Sequence, residues 1–178
     1  ETNYPADGAI RLHVMSQRPN DFTIKVRNPG WAKGGYMYFT RKWYNDHLEV
    51  KFDMPVLMHQ PEHWDNDVVY IDGKQKVPGY VNCAGPMEVA HKPEEDNYVA
   101  YTRGPLTLAA DGRMGKAADS AFVPTYSAAV TEEGMPAIAK VTFTPENGEA
   151  YTLVDYASAG KDWETTIAAW LPTRGHLR

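Results

Sequence analysis

A chain of 178 residues, 43 % hydrophobic and 23 % charged, can bury a real core as one domain or two small ones. Its formal charge of −5 offers no basic footprint for nucleic acid, and no apolar run approaches the ~20 residues of a membrane-spanning helix. The single Cys83 excludes an internal disulfide and a cysteine-based zinc cluster, while 14 glycines, 13 prolines, 11 tyrosines and five tryptophans favour turn-rich, aromatic β structure.

In chain order, Glu1-Thr2-Asn3-Tyr4-Pro5 opens without an initiator Met and reads as the start of a piece of a longer protein. Ile10, Leu12 and Val14 alternate with Arg11 and His13, the period-2 mark of a half-buried strand. Phe22, Ile24 and Val26 alternate likewise after the Arg18–Asp21 turn, which predicts a hairpin with the first strand. Tyr36–Trp43 is a third strand, and Leu48, Val50, Phe52 and Met54 give the cleanest alternation, limited by Pro55. His59–Asp67 is a polar loop, and Asp72-Gly73 after Val68–Ile71 predicts a hairpin.

Tyr98–Thr102 and Leu106–Ala109 read as two buried strand pieces joined by Arg103-Gly104-Pro105. The Gly-Pro pair predicts a bulge or a crossing between sheets. Val123–Val130 is a weak strand, Pro145–Gly148 joins Lys140–Thr144 to Tyr151–Tyr156 in a hairpin, and Trp163–Leu171 is the last strand. No stretch carries helical periodicity. Roughly ten short strands with turns every ~8–12 residues predict an all-β fold, an antiparallel jelly-roll-like β-sandwich. Phe22, Ile24, Val26, Val50, Phe52, Leu106 and Leu108 are expected in one shared core.

Chemistry is sparse. Asp65 and Asp67, or Glu94, Glu95 and Asp96, are candidate carboxylate pairs, but such clusters are also ordinary solvated turns. His59 and His63 flank Glu62, with His47, His91 and Asp65 as further ligand candidates, yet Pro61 argues against the helix a metal site of that spacing needs. No Gly-x-Ser-x-Gly or phosphate-cradling glycine motif occurs, and Cys83 reads as a small half-buried residue. Trp31, Trp43, Trp163 and Trp170 sit in or beside apolar strand patterns and are expected in the core. Trp64, between His63 and Asp65 in a polar loop, is the tryptophan expected to be exposed, and these three residues form the candidate carbohydrate-binding site.

Several strings carry a resemblance: Thr2-Asn3-Tyr4-Pro5 with Ile10-Arg11-Leu12, Phe22–Ala32 with its Asn28-Pro29-Gly30-Trp31, Gly35-Tyr36 leading to Arg41 and Trp43, Met54-Pro55, and Arg103-Gly104-Pro105-Leu106. In this order, over residues 2 to 110, they resemble the C-terminal β-sandwich region of glycoside hydrolase family 127, the β-L-arabinofuranosidase-like group. The remainder, with Leu153–Gly160 and Ala169–Pro172, is similar to a small β-rich extension of some members. The resemblance implies a β-sandwich at residues 1–113 and a smaller β-rich unit at 114–178 packed on it. It also implies that catalysis, by a cysteine nucleophile in a zinc site, belongs to an upstream (α/α)-barrel. No residue here matches that machinery, so no catalytic residue, metal ligand or cofactor carries over.

The role this implies is a non-catalytic accessory domain of a polysaccharide-degrading enzyme, bracing the barrel and contacting oligosaccharide. A periplasmic or extracellular location is implied for the parent. A stand-alone carbohydrate-binding module and a hydrolase with its own carboxylate pair are the rivals. The resemblance implies a strand before Tyr4, so the chain as given is expected either to self-associate through its N-terminal edge or to bear beside it an apolar patch larger than roughly a few hundred Å².

Overall fold

The computed structural model describes residues 1–61, 69–71, 74–76, 98–162 and 164–173. Among these the chain is all β, its only helical turns being single 3-10 turns at Gly30–Ala32 and Gly112–Met114. The strands are β1 (Ala9–Val14), β2 (Asn20–Arg27), β3 (Tyr36–Trp43), β4 (Asp46–Lys51), β5 (Val56–His59), β6 (Val69–Ile71) and β7 (Lys74–Lys76). They continue with β8 (Tyr98–Arg103), β9 (Leu106–Asp111), β10 (Ala128–Val130), β11 (Lys140–Phe143), β12 (Tyr151–Asp155), β13 (Ile167–Ala168) and β14 (Leu171–Pro172).

The first four strands form two antiparallel ribbons, each apolar on one face. β1 pairs with β4, Leu12 opposite Leu48, and β2 pairs with β3, Ile24 opposite Phe39. Trp43, Leu48, Val50 and Phe52 are buried, and Ile10, Leu12, Val14, Ile24, Val26, Met37 and Phe39 pack against them. The hairpin expected between β1 and β2 therefore does not form. Both strands carry an apolar face, and those faces meet across the ribbons rather than lying side by side in one sheet. Trp43 closes this cluster, its indole N–H donating to the Phe22 carbonyl at 2.9 Å.

The larger sheet is built on β8 and β9. Arg103 lies opposite Leu106, so only Gly104 and Pro105 connect the two strands. Gly104 has φ +53°, and the fixed negative φ of Pro105 after it gives the sign pattern of a type II′ hairpin turn. The Gly-Pro pair is thus a hairpin turn, neither a bulge nor a crossing. β5 and β14 pair with β8, β12 and β13 with β9, and β11 and β10 extend the sheet beyond β12. β9, before residue 113, and β12, after it, are neighbours in this one sheet. β6 pairs antiparallel with β7, Ile71 opposite Lys74, and β11 pairs with β12 across Pro145–Gly148, as the expected hairpins require; Asp72 and Gly73 themselves lie outside the described residues. The stretch expected as a final strand is reduced to β13 and β14, two residues each.

Its core is aromatic. Phe143 stacks on Tyr151 at 5.2 Å between centroids, Tyr101 tilts against Phe143 at 4.4 Å, and Phe122 meets Tyr151 edge-on at 5.0 Å. Val99, Leu108, Val141, Leu153 and Leu171 complete the cluster. The Tyr151 hydroxyl, donating to the Val123 carbonyl, has its ionisation pushed well above the usual phenol range, chiefly by burial.

One shared core was expected; two are present. Leu108 belongs to the second cluster, Leu106 is half-buried, and Phe22 is 39 % exposed. Alternation assigns a residue to a face of its strand, but the sheet that covers the face is set by distant pairing. The same limit applies to the tryptophans. Trp43 is fully buried and Trp31 half-buried, whereas Trp170 is 47 % exposed because it lies in the step between β13 and β14. Trp163 lies outside the described residues.

Two predictions follow from this packing. Phe143→Ala removes a fully buried ring and should cost about 3–5 kcal/mol in urea unfolding, against about 1 kcal/mol or less for Phe22→Ala at the exposed margin. The second concerns Asp111, whose buried carboxylate accepts from the side chain and backbone N–H of Arg113 and from the Gly160 N–H. The Arg113 hydrogen bond, first among these, lowers its pKa from 3.8 to about 2 against the opposing effect of burial. A depressed folded-state value adds stability above the unfolded pKa that is lost as pH falls through the folded one. Unfolding free energy should therefore drop by about 2 kcal/mol between pH 5 and 1 through this group, a component that Asp111→Asn removes.

Candidate functional site

His63, Trp64 and Asp65, the candidate sugar-binding residues, lie outside the described residues, as do Asp67, Cys83, His91 and the Glu94–Asp96 acids. The two described histidines of the candidate metal set stand apart. His47 on β4 faces His13 on β1, while His59 on β5 shares a 2.8 Å hydrogen bond with the Thr102 hydroxyl on β8. No group of three His, Cys, Asp or Glu side chains gathers around a cation position among the described residues.

Among the described residues, the carboxylates that shift all shift downward. Arg11 holds Glu49 below its usual range, Arg113 does the same for Asp111, and the Thr165 hydroxyl is the main cause for Asp162. A general acid in glycoside hydrolysis needs a carboxyl held protonated near neutrality, the opposite displacement. Asp155, fully buried, accepts from the Ala139 and Ser158 N–H groups at 3.0 Å and serves to fix a turn.

The strings that carried the resemblance converge in space. Tyr4 stacks on Trp31 with centroids 6.3 Å apart and planes 19° from parallel. The buried Arg103 donates from Nη1 to the Ala6 carbonyl at 2.7 Å, and the Gly104 N–H donates to the Pro55 carbonyl at 3.1 Å. Met54 lies over Gly104 so closely that a Cβ there would sit 2.6 Å from its terminal methyl. Gly8 is tighter still, since a Cβ would lie 1.9 Å from the Phe52 carbonyl oxygen. These contacts clamp the N-terminal segment, the first two ribbons and the β8–β9 turn into one seam. Within it the Trp31 Nε1 and Arg103 Nε donors are buried without a partner.

The outer face of the β2–β3 ribbon carries exposed cations and aromatic rings together. Its cross-strand pairs are Asp21 with Lys42, Thr23 with Thr40, Lys25 with Tyr38 and Arg27 with Tyr36. Asp21 and Lys42 form an ion pair at 4.0 Å, and the two threonine hydroxyls hydrogen-bond at 2.7 Å. The Lys25 ammonium lies 4.4 Å from the Tyr36 ring centre and 5.3 Å from that of Tyr38. Tyr36 is 51 % and Tyr38 63 % exposed. Sequence reasoning does not single out this aromatic-cationic strip, because Tyr36–Trp43 reads as a strand on either face. Its signal is the phase of the alternation, with Met37, Phe39 and Trp43 inward and Tyr36, Tyr38 and Lys42 outward.

The described surface also carries hollows. A cleft of about 390 Å³ runs beside the N-terminal segment, where the Arg11–Glu49 ion pair faces Thr2, Asn3 and Asp7. A shallower apolar groove of about 510 Å³ lies along Pro105, Leu106, Thr107 and Tyr156.

No family model matches the chain, and no curated protein matches it. Among solved structures it is similar to a GH127 beta-L-arabinofuranosidase from Geobacillus stearothermophilus T6, with 21 % identity and a TM-score of 0.59. The similarity covers 98 % of this chain and 30 % of that enzyme, and it is a likeness of fold.

Proposed function

We propose that the chain is an accessory β-sandwich of a carbohydrate-active enzyme, bracing a catalytic barrel carried by the same polypeptide. The observation that carries this reading is the fold correspondence of nearly the whole chain to 30 % of an arabinofuranosidase. The seam supports it, because the residues quoted for the resemblance are those that clamp Tyr4, Trp31, Met54 and Arg103 together. The downward-shifted carboxylates support a structural rather than a catalytic role for the described acids.

In this role the chain contributes rigidity. Two close-packed β units present fixed faces, and a brace works by holding a neighbouring module in its active geometry. The isolated chain should give no turnover of aryl arabinofuranosides, with or without zinc. The longer polypeptide that includes it should turn them over, and deleting residues 1–178 should lower the melting temperature of the catalytic part. Turnover by the isolated chain that survives repurification, and vanishes when Asp65, Asp67 or Glu95 is neutralised, would replace the brace with a hydrolase.

A further inference from the structure

We propose that the outer face of the β2–β3 ribbon is a binding strip for an anionic oligosaccharide, one whose sugar rings bear carboxylates. This rests on the carbohydrate-active reading above and adds to it a ligand class and a location. Lys25 and Arg27 have no carboxylate partner among the described residues, and Asp21, the strip's one acid, is already paired with Lys42. A local excess of cations on a chain of net charge −5 marks a place for an anion.

The tyrosines narrow the anion's nature. Tyr36 and Tyr38 are two residues apart on one face, so their rings are spaced about 7 Å along the strand. Ring faces accept the C–H bonds of a sugar, and their hydroxyls reach its oxygens, while the Arg27 fork matches a carboxylate. Lys25 covers the rings by an exposed cation–π contact, which is weak and readily exchanged for a carboxylate. The Thr23–Thr40 hydroxyl pair continues the strip with neutral hydrogen-bonding groups.

Size argues against a protein occupant. One ribbon width and four cross-strand pairs amount to on the order of 250 Å² at the usual strand spacing and rise. Stable protein interfaces need about 800 Å² per partner.

The test is affinity electrophoresis of the chain in native gels containing polygalacturonate, neutral arabinan or poly-L-glutamate. Polygalacturonate should retard it, added salt should weaken the retardation, and arabinan should not retard it. Tyr38→Ala and Arg27→Glu, both exposed, should each raise Kd at least tenfold while leaving the urea midpoint unchanged. No retardation by polygalacturonate, equal retardation by poly-L-glutamate, or full binding by Tyr38→Ala with an unchanged midpoint would each overturn the proposal. Bracing is read separately, from the melting temperature of the longer polypeptide. Loss of binding with bracing intact removes only the strip, whereas binding without bracing makes the chain a stand-alone module.

Discussion

Hydrogen bonding between β8 and β9, closed by two residues, is the constraint on which the rest of the large sheet depends. Every strand of that sheet except β10 and β11 pairs directly with one of these two. A turn so short leaves no freedom of register, and a one-residue slip would send Tyr101 and Leu108 to the opposite face. Gly104 permits the turn twice over. It supplies the left-handed φ, and its missing Cβ makes room for Met54. The hairpin thereby fixes both the sheet and the seam against the N-terminal ribbons.

Arg103 extends that constraint across the molecule. It is the last residue of β8 and is buried, and one of its donors caps the Ala6 carbonyl, 97 positions earlier in the chain. A buried guanidinium is costly to desolvate, so it is an expensive way to join two units unless the join itself matters. On the bracing reading the join does matter. A seam that flexed would transmit no rigidity to a neighbouring module.

Local patterns told the strands of this chain and left their partners open. β3 and β4 were legible because period-2 alternation is written in adjacent residues, and the turn at Pro145–Gly148 because its residue types favour turns. The partner of β1 was not legible. Two apolar faces such as those of Ile10–Val14 and Phe22–Val26 can meet side by side or face to face, and the choice is made by β4, which arrives later. The tyrosine strip follows the same rule. A tryptophan in a polar loop stands out in the sequence, but the exposed tyrosines of β3 hide inside a strand pattern whose outward face is decided by the burial of Trp43.

The pairing of β5 with β8 also has a consequence in time. Val56–His59 emerges during synthesis about 40 residues ahead of the strand that completes its ladder. At ~5–20 residues per second that is a delay of about 2–8 s. By then the two ribbons ending near Phe52 have all their partners and can close. The β5 edge, with Val56 and Met58 still uncovered, has none. Each nascent chain therefore carries this open edge until β8 has been made, so its period of greatest exposure to mispairing falls before the central hairpin forms.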